Sequence, residues 1–413
     1  MFFLFLSTLL LSVCSNLALS SPSPVTTKTA SVNVPLEDRN CVVVGGGPVG
    51  LAAALTLSNP PHCYNVTLLE KTDGTTSVQT YDPTRAYLYL VNPRGLEWVD
   101  QFPFAQKRLL ELGTVSSARD SIQIEADPET PIDVNSGRGS AMANLTLSED
   151  RRLRSYWVPR HQMIQLLVET CEKQNAEKTV MVGGGDQGES SVGSIEICPG
   201  KDVVDLQENR SGRIKITCSD GAEYETSLLV AADGIDSSVR QCLTKTDTAA
   251  DSWLFSRPKA FQPKSYKSPS SGLKLKCLQF PPNFTLTNTD GSIIETKSTT
   301  IYSIRSTNKG QSRISLGLLP VKDPNLVRPA NINTRHDHPV WSITSGPEMK
   351  EYFTKAFPRI QWDTIITNDA EWERFAKATG TTYPKPQYSP GSVVISPKNP
   401  NVGVVLVGDA CHE

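Results

Sequence analysis

The pattern of apolar and polar residues is most regular where a short apolar run leads into a glycine-rich turn. Residues 42–44 are continuously apolar, and the Gly-Gly-Gly-Pro-Val-Gly sequence of residues 45–50 follows them directly. An apolar run bounded by turn residues is typical of a buried strand. Residues 52–57 then continue as an apolar helix, and residues 66–69 form a second apolar run. The pattern predicts a strand, a tight turn, a helix and a second strand.

Helices are predicted further along the chain by apolar residues that recur with helical spacing. Residues 93–100 and 104–112 have this character, and Gly113 is placed to end the second helix. Arg160 opens a longer amphipathic helix. Its expected core positions follow the i, i+3, i+4, i+7, i+8 rule and are Met163, Leu166, Leu167, Thr170 and Cys171.

Strand-like runs dominate two other parts of the chain. Residues 213–218 and 224–230 flank an Asp220-Gly221 turn, which predicts a hairpin. Residues 402–407 are continuously apolar and are expected to return to the first sheet. Between them lies a region rich in proline and serine, with predicted strands at 273–280, 299–305 and 312–318, a helix capped by Ser345 and Glu348, and a helix over 369–378.

This order of elements predicts an α/β nucleotide-binding domain that is interrupted by a second, sheet-rich domain. The predicted segments are a signal peptide at 1–20, a linker or transit-like segment at 21–37, a nucleotide-binding domain at 38–113, 156–249 and 396–413, and a substrate domain at 114–155 and 250–395.

Composition narrows the class of protein. A chain of 413 residues can hold about two domains, and its net charge of −2 gives no electrostatic footprint for nucleic acid. The nine cysteines form no Cys-x-x-Cys pair, so neither a zinc site nor a thioredoxin motif is indicated. His336-Asp337-His338 has no further candidate ligands nearby and is interpreted as a solvated loop, so no metal site is predicted.

The first 20 residues resemble a secretory signal peptide, although they lack the usual positive start. The alternative is a membrane anchor, but polar residues break the run, and we expect no stable transmembrane anchor in the mature chain. Residues 21–37 are either a plain linker or a transit segment. The expected destination is therefore the secretory pathway (ER or secreted), or an organelle such as a plastid.

The glycine-rich turn carries the clearest chemistry. Gly45 allows the tight turn, Gly47 lets the backbone approach a phosphate, and Gly50 lets the helix pack against the strand. Pro48 suits the first helical turn, where an amide hydrogen would be unpaired in any case. Glu70 follows at the end of the second strand, where it can accept hydrogen bonds from ribose hydroxyls. This combination predicts dinucleotide binding.

Three separated motifs together resemble those of the single-component (class A) FAD-dependent aromatic monooxygenases, and within that family the kynurenine 3-monooxygenase-like proteins. They are residues 45–50 with Glu70, then Ala232-Asp233-Gly234 with Ser237, Val239 and Arg240, then Gly408-Asp409. Similarity also covers Arg85 with residues 92–95, the helix start at Arg160, and residues 352–358. The resemblance implies a Rossmann-like FAD-binding domain of the GR2/PHBH type, interrupted by a sheet-rich substrate domain.

The resemblance also implies roles for individual residues. Glu70 would hold the adenosine ribose of FAD, and Arg160 would contact the phosphate–ribityl region of the cofactor. Asp233 and Gly234 would lie beside the pyrophosphate, although Asp-Gly is also a common structural turn.

In the last motif, Gly408 and Asp409 would contact the cofactor, and Asp409 would accept a hydrogen bond from a ribityl hydroxyl. Arg85 would be the catalytic residue, near the flavin at the entrance of the active site. A surface ion pair explains an arginine at that position equally well.

The activity implied by the resemblance is hydroxylation of a small aromatic substrate by dioxygen, with NADPH or NADH as electron donor. In that family, oxygen adds at the flavin C4a carbon, and the resulting hydroperoxide transfers an oxygen atom to the ring. Two alternatives stay open: an FAD-binding oxidoreductase without oxygen insertion, and a non-catalytic flavin-binding protein.

The chain departs from the family pattern in two places. It offers no clear match to the arginine and tyrosine that hold the kynurenine carboxylate. It also ends directly after His412-Glu413, where the family continues with a proline and a Gly-Gln-Gly loop. We therefore expect a C-terminally truncated form whose catalytic competence is open.

A second Gly-x-Gly-x-x-Gly match occurs over residues 183–188, after what reads as a short strand. No helical pattern follows it. We therefore interpret this match as a loop that binds no phosphate.

Overall fold

The structure is a computed structural model that describes residues 39–73, 82, 84, 88–116, 121–133, 154–183, 192–245 and 252–412. The predicted signal peptide, the linker and Arg85 lie outside these residues, so the predictions made for them stay predictions.

Twenty-two strands are formed by the described residues. In chain order they are β1 (Asn40–Val44), β2 (Asn65–Glu70), β3 (Leu88–Val91), β4 (Thr114–Ser116), β5 (Ser121–Glu125), β6 (Ser155–Pro159), β7 (Ile195–Pro199), β8 (Val203–Glu208), β9 (Ile214–Cys218), β10 (Glu223–Thr226), β11 (Leu228–Ala231), β12 (Lys264–Ser265), β13 (Leu273–Phe280), β14 (Thr285–Thr287), β15 (Ile293–Glu295), β16 (Ile301–Arg305), β17 (Ser315–Leu318), β18 (Arg328–Arg335), β19 (Thr381–Thr382), β20 (Gln387–Tyr388), β21 (Val393–Ile395) and β22 (Gly403–Leu406).

Eight α-helices accompany them within the same described ranges. They are α1 (Pro48–Ser58), α2 (Pro93–Val99), α3 (Pro103–Leu112), α4 (Arg160–Gly183), α5 (Ser238–Leu243), α6 (Gly346–Ala356), α7 (Trp362–Ile365) and α8 (Asp369–Lys377). Among these residues, no helix combines the length and the apolar character that a bilayer span requires.

The chain divides into two compact units. The first takes its described residues from Met1–Gln79, Ile164–Tyr266 and Pro386–Glu413, and the second from Thr80–Met163 and Lys267–Lys385. Residues 88–113 and 156–163, assigned from sequence to the nucleotide-binding domain, group with the second unit. The reason is that β3 pairs with β6 in a separate antiparallel sheet and not with the parallel sheet of the first unit. Residues 252–266 and 386–395, assigned from sequence to the substrate domain, group with the first unit, where β12 pairs with β20 and β21 pairs with β22.

The first unit is built on a six-stranded sheet with the order β21-β22-β11-β1-β2-β7. The pairs from β22 to β7 are parallel, and only the edge strand β21 runs antiparallel. The register sets Val43 opposite Leu68 on one side and Val230 on the other, and all three side chains are fully buried. The expected return of the last apolar run to this sheet is confirmed by β22.

Helix α1 crosses from β1 to β2 and is apolar on nearly all sides. Its residues from Gly50 to Leu55 are buried, as expected for a helix packed against a parallel sheet. The end of α1 is tied to α4 by side-chain hydrogen bonds. Asn59 donates to Gln174 at 2.6 Å, and Gln174 donates to Ser58 at 2.7 Å.

The predicted hairpin is correct only in its first half. Strands β9 and β10 pair antiparallel across the Asp220-Gly221 turn, but the second arm ends at Thr226 and does not continue to Val230. After Ser227 the chain enters the parallel sheet as β11. The hydroxyl of Thr226 donates to the carbonyl of Asn40 at 3.1 Å, which joins the hairpin to β1 at this change of sheet.

The second unit contains a six-stranded sheet with the order β19-β13-β18-β17-β16-β5 and a smaller sheet with the order β3-β6-β4. Alternate residues of the larger sheet, such as Leu278, Ala330 and Ile304, contribute to a core shared with α6 and α8. The buried ring of Phe353 lies within 5.4 Å of Trp362 and Trp372, measured between ring centroids. Such aromatic packing stabilises beyond the buried area alone.

The helix that begins at Arg160 is confirmed, and its five predicted core residues are all buried. It extends through Gly183, however, so the short strand expected before the second glycine motif is wrong. Residues 178–182 form the last helical turns instead, because a short apolar run does not distinguish strand from helix. The glycine motif beyond Gly183 lies outside the described residues.

Candidate functional site

Four chain segments with polar or glycine residues meet at one edge of the parallel sheet. They follow β1 (residues 45–50), β2 (Glu70), β11 (Asp233 and Gly234) and β22 (Gly408 and Asp409). Because these four strands are adjacent and parallel, their carboxyl ends lie side by side. In open α/β sheets this edge is the usual ligand-binding position.

Steric constraints explain two of the glycines. Gly45 has a φ of +107°, and a Cβ at this position would lie 2.4 Å from the carbonyl oxygen of Ala232. A Cβ on Gly50 would lie 1.8 Å from the carbonyl oxygen of Gly45. Any side chain at either position would therefore force the turn away from β11 or from its own helix. These contacts account for the close packing of strand, turn and helix.

Gly47 differs from its neighbours because space surrounds it. It is the N-cap of α1 with a φ of −73°, and a Cβ there would meet no described atom within 4 Å. Pro48 occupies the first helical position, and no side-chain hydrogen bond caps the helix. The first turn of α1 thus presents backbone amides and a helix dipole, the combination that binds phosphate groups.

Glu70 is more constrained than the sequence indicated. One carboxylate oxygen, Oε2, accepts from the backbone amide of Gly46 at 2.5 Å. The other, Oε1, accepts from the amide and the hydroxyl of Thr72 at 2.9 and 2.7 Å. Glu70 therefore holds the glycine turn in place through its hydrogen bond with Gly46. A carboxylate has further lone pairs, so the predicted ribose contact stays a prediction. Thr72 was not foreseen, because nothing in its sequence context marks it.

Asp233 follows β11 and keeps one oxygen unsatisfied. Its Oδ2 accepts from the amide of Val239 at 3.0 Å, but its Oδ1 is buried and has no hydrogen-bond partner among the described residues. Burial raises the pKa of Asp233 above its ordinary value, and the hydrogen bonds from Ser237 and Val239 oppose that change only in part. Gly234, with a φ of +84°, turns the chain directly after it.

Asp409 occupies the equivalent position after β22. Its Oδ1 is also buried, and no residue in the described part of the chain donates to it. Burial raises the pKa of the Asp409 carboxyl, and the nearby His412 opposes that change. Gly408 has a φ of +58°, and a Cβ there would lie 3.0 Å from the side chain of Val49 in α1. The backbone of Gly408 is therefore held close to the start of α1.

Arg240 connects the second and third motifs. Its side chain is buried, donates to the carbonyl of Ala410 at 2.8 Å, and also donates to the carbonyl of Ile235. Its backbone amide donates to the hydroxyl of Ser237, the N-cap of α5. Arg240 thereby fixes the loop that carries Asp233 relative to the segment that carries Asp409. It was noted in the sequence motif without a role.

Two further predicted site residues lie outside the described part of the first unit. Arg160 is the first residue of α4, directly after β6, and belongs to the second unit. Its predicted contact with the phosphate–ribityl region stays a prediction. Arg85, the predicted catalytic residue, lies outside the described residues, and its role likewise stays a prediction.

Side chains of the His336-Asp337-His338 segment make hydrogen bonds within their own loop. Asp337 pairs with Arg335 at 2.6 Å, and Nδ1 of His338 accepts from the amide of Val340 at 3.1 Å. His338 is buried, which corrects the expectation of a fully solvated loop. Over the described ranges, no cluster of metal-binding side chains occurs.

The fold of this chain is similar to those of solved oxygenase and monooxygenase structures. No protein-family profile and no curated protein matches the sequence. Among solved structures, a tetrameric form of 2-methyl-3-hydroxypyridine-5-carboxylic acid oxygenase matches 91% of this chain and 76% of its own, at 16% identity and a TM-score of 0.54. The p-nitrophenol 4-monooxygenase PnpA from Pseudomonas putida DLL-E4 matches 90% of this chain and 72% of its own, at 14% identity and a TM-score of 0.53.

This chain has the GR2/PHBH-type fold of FAD-dependent monooxygenases. The predicted fold class, a Rossmann-like domain interrupted by a sheet-rich domain, is confirmed. At such low identity the likeness concerns the fold, so the chemistry of the site must be argued from the residues themselves.

The residues at the sheet edge fit a dinucleotide such as FAD. No described residue donates a hydrogen bond to Oδ1 of Asp233 or to Oδ1 of Asp409, so both buried oxygens are available to a group that enters the site. Unsatisfied buried acceptors are rare in folded proteins. The hydroxyls of a sugar or ribityl chain are donors of the required kind. The space around Gly47 admits a phosphate group.

Proposed function

We propose that this protein binds FAD at the carboxyl edge of its parallel sheet and acts as a monooxygenase on a small aromatic substrate. The observation that carries the proposal is the pair of buried, unsatisfied carboxylate oxygens on Asp233 and Asp409, set beside the glycine turn. An isolated dinucleotide motif is weak support, but here the turn, Glu70 and two orphaned acceptors share one edge.

Different residues would bind different parts of the cofactor. The amides of the first turn of α1 would bind the pyrophosphate, with Gly47 allowing close approach. Glu70 would accept from the adenosine ribose while it braces the turn through Gly46. Asp409 would accept from a ribityl hydroxyl. Asp233 would accept from a second donor beside the pyrophosphate.

The reaction is proposed from the motif resemblance, supported by the shared fold. When bound, FAD would accept electrons from NADPH or NADH and activate dioxygen. The protein would position the substrate and exclude water. We propose substrate contacts from the second unit. The proposed reaction needs no nucleophilic side chain from the protein. Assignment to the kynurenine 3-monooxygenase-like group rests on the sequence motifs alone.

The cofactor assignment can be tested with Asp409→Ala. Loss of a charged acceptor removes a hydrogen bond of about 1.5–3 kcal/mol, so FAD affinity should fall about 10- to 150-fold. Flavin fluorescence quenching would measure the affinity. Asp236→Ala is the matched control, because Asp236 is an exposed carboxylate in the loop after Asp233. Equal affinity in the Asp409 variant would contradict the assignment.

The reaction type needs a second measurement. Wild-type protein reconstituted with FAD would be given NADPH or, in a parallel series, NADH, together with a panel of small phenols and aromatic amines and isotopically labelled dioxygen. Label in the product identifies a hydroxylase. Hydrogen peroxide without labelled product, for every compound, would indicate an oxidase. A bound flavin that is not reduced by either nucleotide would indicate a non-catalytic protein.

A further inference from the structure

A cleft in the second unit lies outside every motif discussed above. It has a volume of about 210 Å³ and opens to solvent beside the end of α8 and the short strand β19. Its lining contains two cationic side chains and, among the described residues, no carboxylate. The lining residues are Thr84, Lys276, Cys277, Arg374, Ala378, Thr379, Gly380 and Thr381.

Lys276 is the unusual member of this lining. Only 4% of the residue is exposed, and its ammonium donates to the carbonyls of Phe375 and Ala376 at 3.2 and 3.1 Å. These are carbonyls of the last turn of α8, so Lys276 caps that helix. An ammonium carries three donors, however, and two carbonyls supply no opposite charge. Within the described part of the chain, no carboxylate forms an ion pair with it.

Arg374 shows the contrast, because its counter-ion is present. Its guanidinium pairs with both oxygens of Glu371 at 2.6 Å, and also donates to the carbonyl of Cys277 at 2.7 Å. Glu371 is further committed, since it accepts from the amide of Gln279 at 2.8 Å. The negative charge of Glu371 is therefore used by Arg374.

The groups around Lys276 offer its positive charge little compensation. Burial, followed by the positive charges of Lys274 and Arg374, lowers the pKa of Lys276 to about 8. The aromatic rings of Trp341 and Phe375 each lie 5.6 Å from its nitrogen and offer only a weak cation–π attraction. A buried charge without an opposite charge is costly, and natural proteins usually pair it.

We propose that this cleft binds a small oxyanion, a carboxylate or phosphate group, with the ammonium of Lys276 as its counter-ion. The hydroxyl-bearing residues Thr379 and Thr381, on either side of Gly380, supply neutral donors at the same opening. The volume suits a small anion and not a dinucleotide. All residues of this cleft belong to the second unit, whereas the glycine turn, Glu70, Asp233 and Asp409 belong to the first.

The test on wild-type protein follows the reactivity of the Lys276 amine. The full chain would be labelled with trace acetic anhydride across pH 7 to 10, and peptide mass spectrometry would give the rate at each lysine. Sodium phosphate and sodium benzoate, at ionic strength matched by sodium chloride, distinguish the two kinds of anion. A bound anion stabilises the ammonium, so labelling of Lys276 at pH 8 should slow at least threefold with one of them. Unchanged rates with both anions would overturn the proposal.

A pair of variants adds a second measurement. Lys276→Gln should abolish any rise in unfolding temperature that the effective anion produces. Lys377→Gln, at the exposed end of α8, the helix that Lys276 caps, should keep it; Lys377 pairs with Glu373 at 3.2 Å. Since Lys276→Gln also removes the cap of α8, the labelling experiment decides the matter if that variant does not fold.

Discussion

The glycine turn offers the most direct test of the site, because alanine substitutions at two of its glycines should have different effects. Gly47→Ala should weaken FAD binding, and Gly50→Ala should lower the stability of the fold. Gly47→Ala adds a methyl group where no described atom lies within 4 Å, at a φ that alanine adopts readily. Gly50→Ala adds the same methyl group 1.8 Å from the carbonyl oxygen of Gly45. The chemical change is identical, so the difference isolates geometry.

The expected effects on stability follow from these distances. A carbon and an oxygen atom cannot approach to 1.8 Å, and the obstructing atom is backbone, so Gly50→Ala must displace the turn or α1. Overpacking of this kind costs about 1–3 kcal/mol or more. Gly47→Ala should change the free energy of unfolding of flavin-free protein by less than about 0.5 kcal/mol, as for surface substitutions.

In Gly47→Ala, FAD affinity should fall because a contact with the ligand is lost, and not because the fold is destabilised. The methyl group of Gly47→Ala would occupy the approach of the pyrophosphate and remove one charge-assisted hydrogen bond of about 1.5–3 kcal/mol. The affinity should fall about 10- to 150-fold while the fold is kept. Urea unfolding and flavin fluorescence titration give the two quantities. Wild-type affinity in Gly47→Ala, or wild-type stability in Gly50→Ala, would refute the reasoning.

Three further predictions concern buried charges. Arg240→Met removes both carbonyl contacts of that side chain and should cost about 2–4 kcal/mol in urea unfolding, with wild-type stability as the contrary result. Arg328 is fully buried and donates to four backbone carbonyls. Arg328→Met should therefore lower the free energy of unfolding by at least about 3 kcal/mol. A smaller loss would show that solvent replaces those hydrogen bonds. Burial raises the pKa of Asp233, so the unfolded chain loses this proton first. Stability therefore falls as pH rises from about 4 through the raised pKa, and Asp233→Asn should flatten that decline in flavin-free protein; an unaltered pH profile would contradict this.

Much of the nucleotide site could be predicted from sequence because its constraints are local. A strand, a glycine turn and a helix need particular residues within ten positions, and the contacts of Gly45 and Gly50 show why no others fit. The return of the last strand was predictable for a similar reason. A continuous apolar run followed by Gly-Asp is typical of a buried strand that ends at a ligand-binding edge.

Features that depend on distant partners could not be predicted. Nothing in residues 224–230 marks the point where β10 ends and β11 begins, because that point is set by pairing with β9 on one side and β1 on the other. The same holds for two side-chain hydrogen bonds of the site. One joins Thr72 to Glu70 and the other joins Arg240 to Ala410, and only the fold brings these groups together.

The buried carboxyl groups of Asp233 and Asp409 couple the stability of the fold to cofactor binding. Each buries one oxygen without a partner, and burial raises the pKa of both carboxyls, so the flavin-free chain carries a cost at this edge. A ligand that donates hydrogen bonds to those oxygens removes that cost and binds only the folded chain. It therefore stabilises by mass action in addition to its direct contacts. Because that added stability depends on the ionised carboxylates, it should be larger at pH 8 than at pH 5. A ligand held only by the glycine turn would show no such dependence, and this difference separates the contribution of the aspartates from that of the helix.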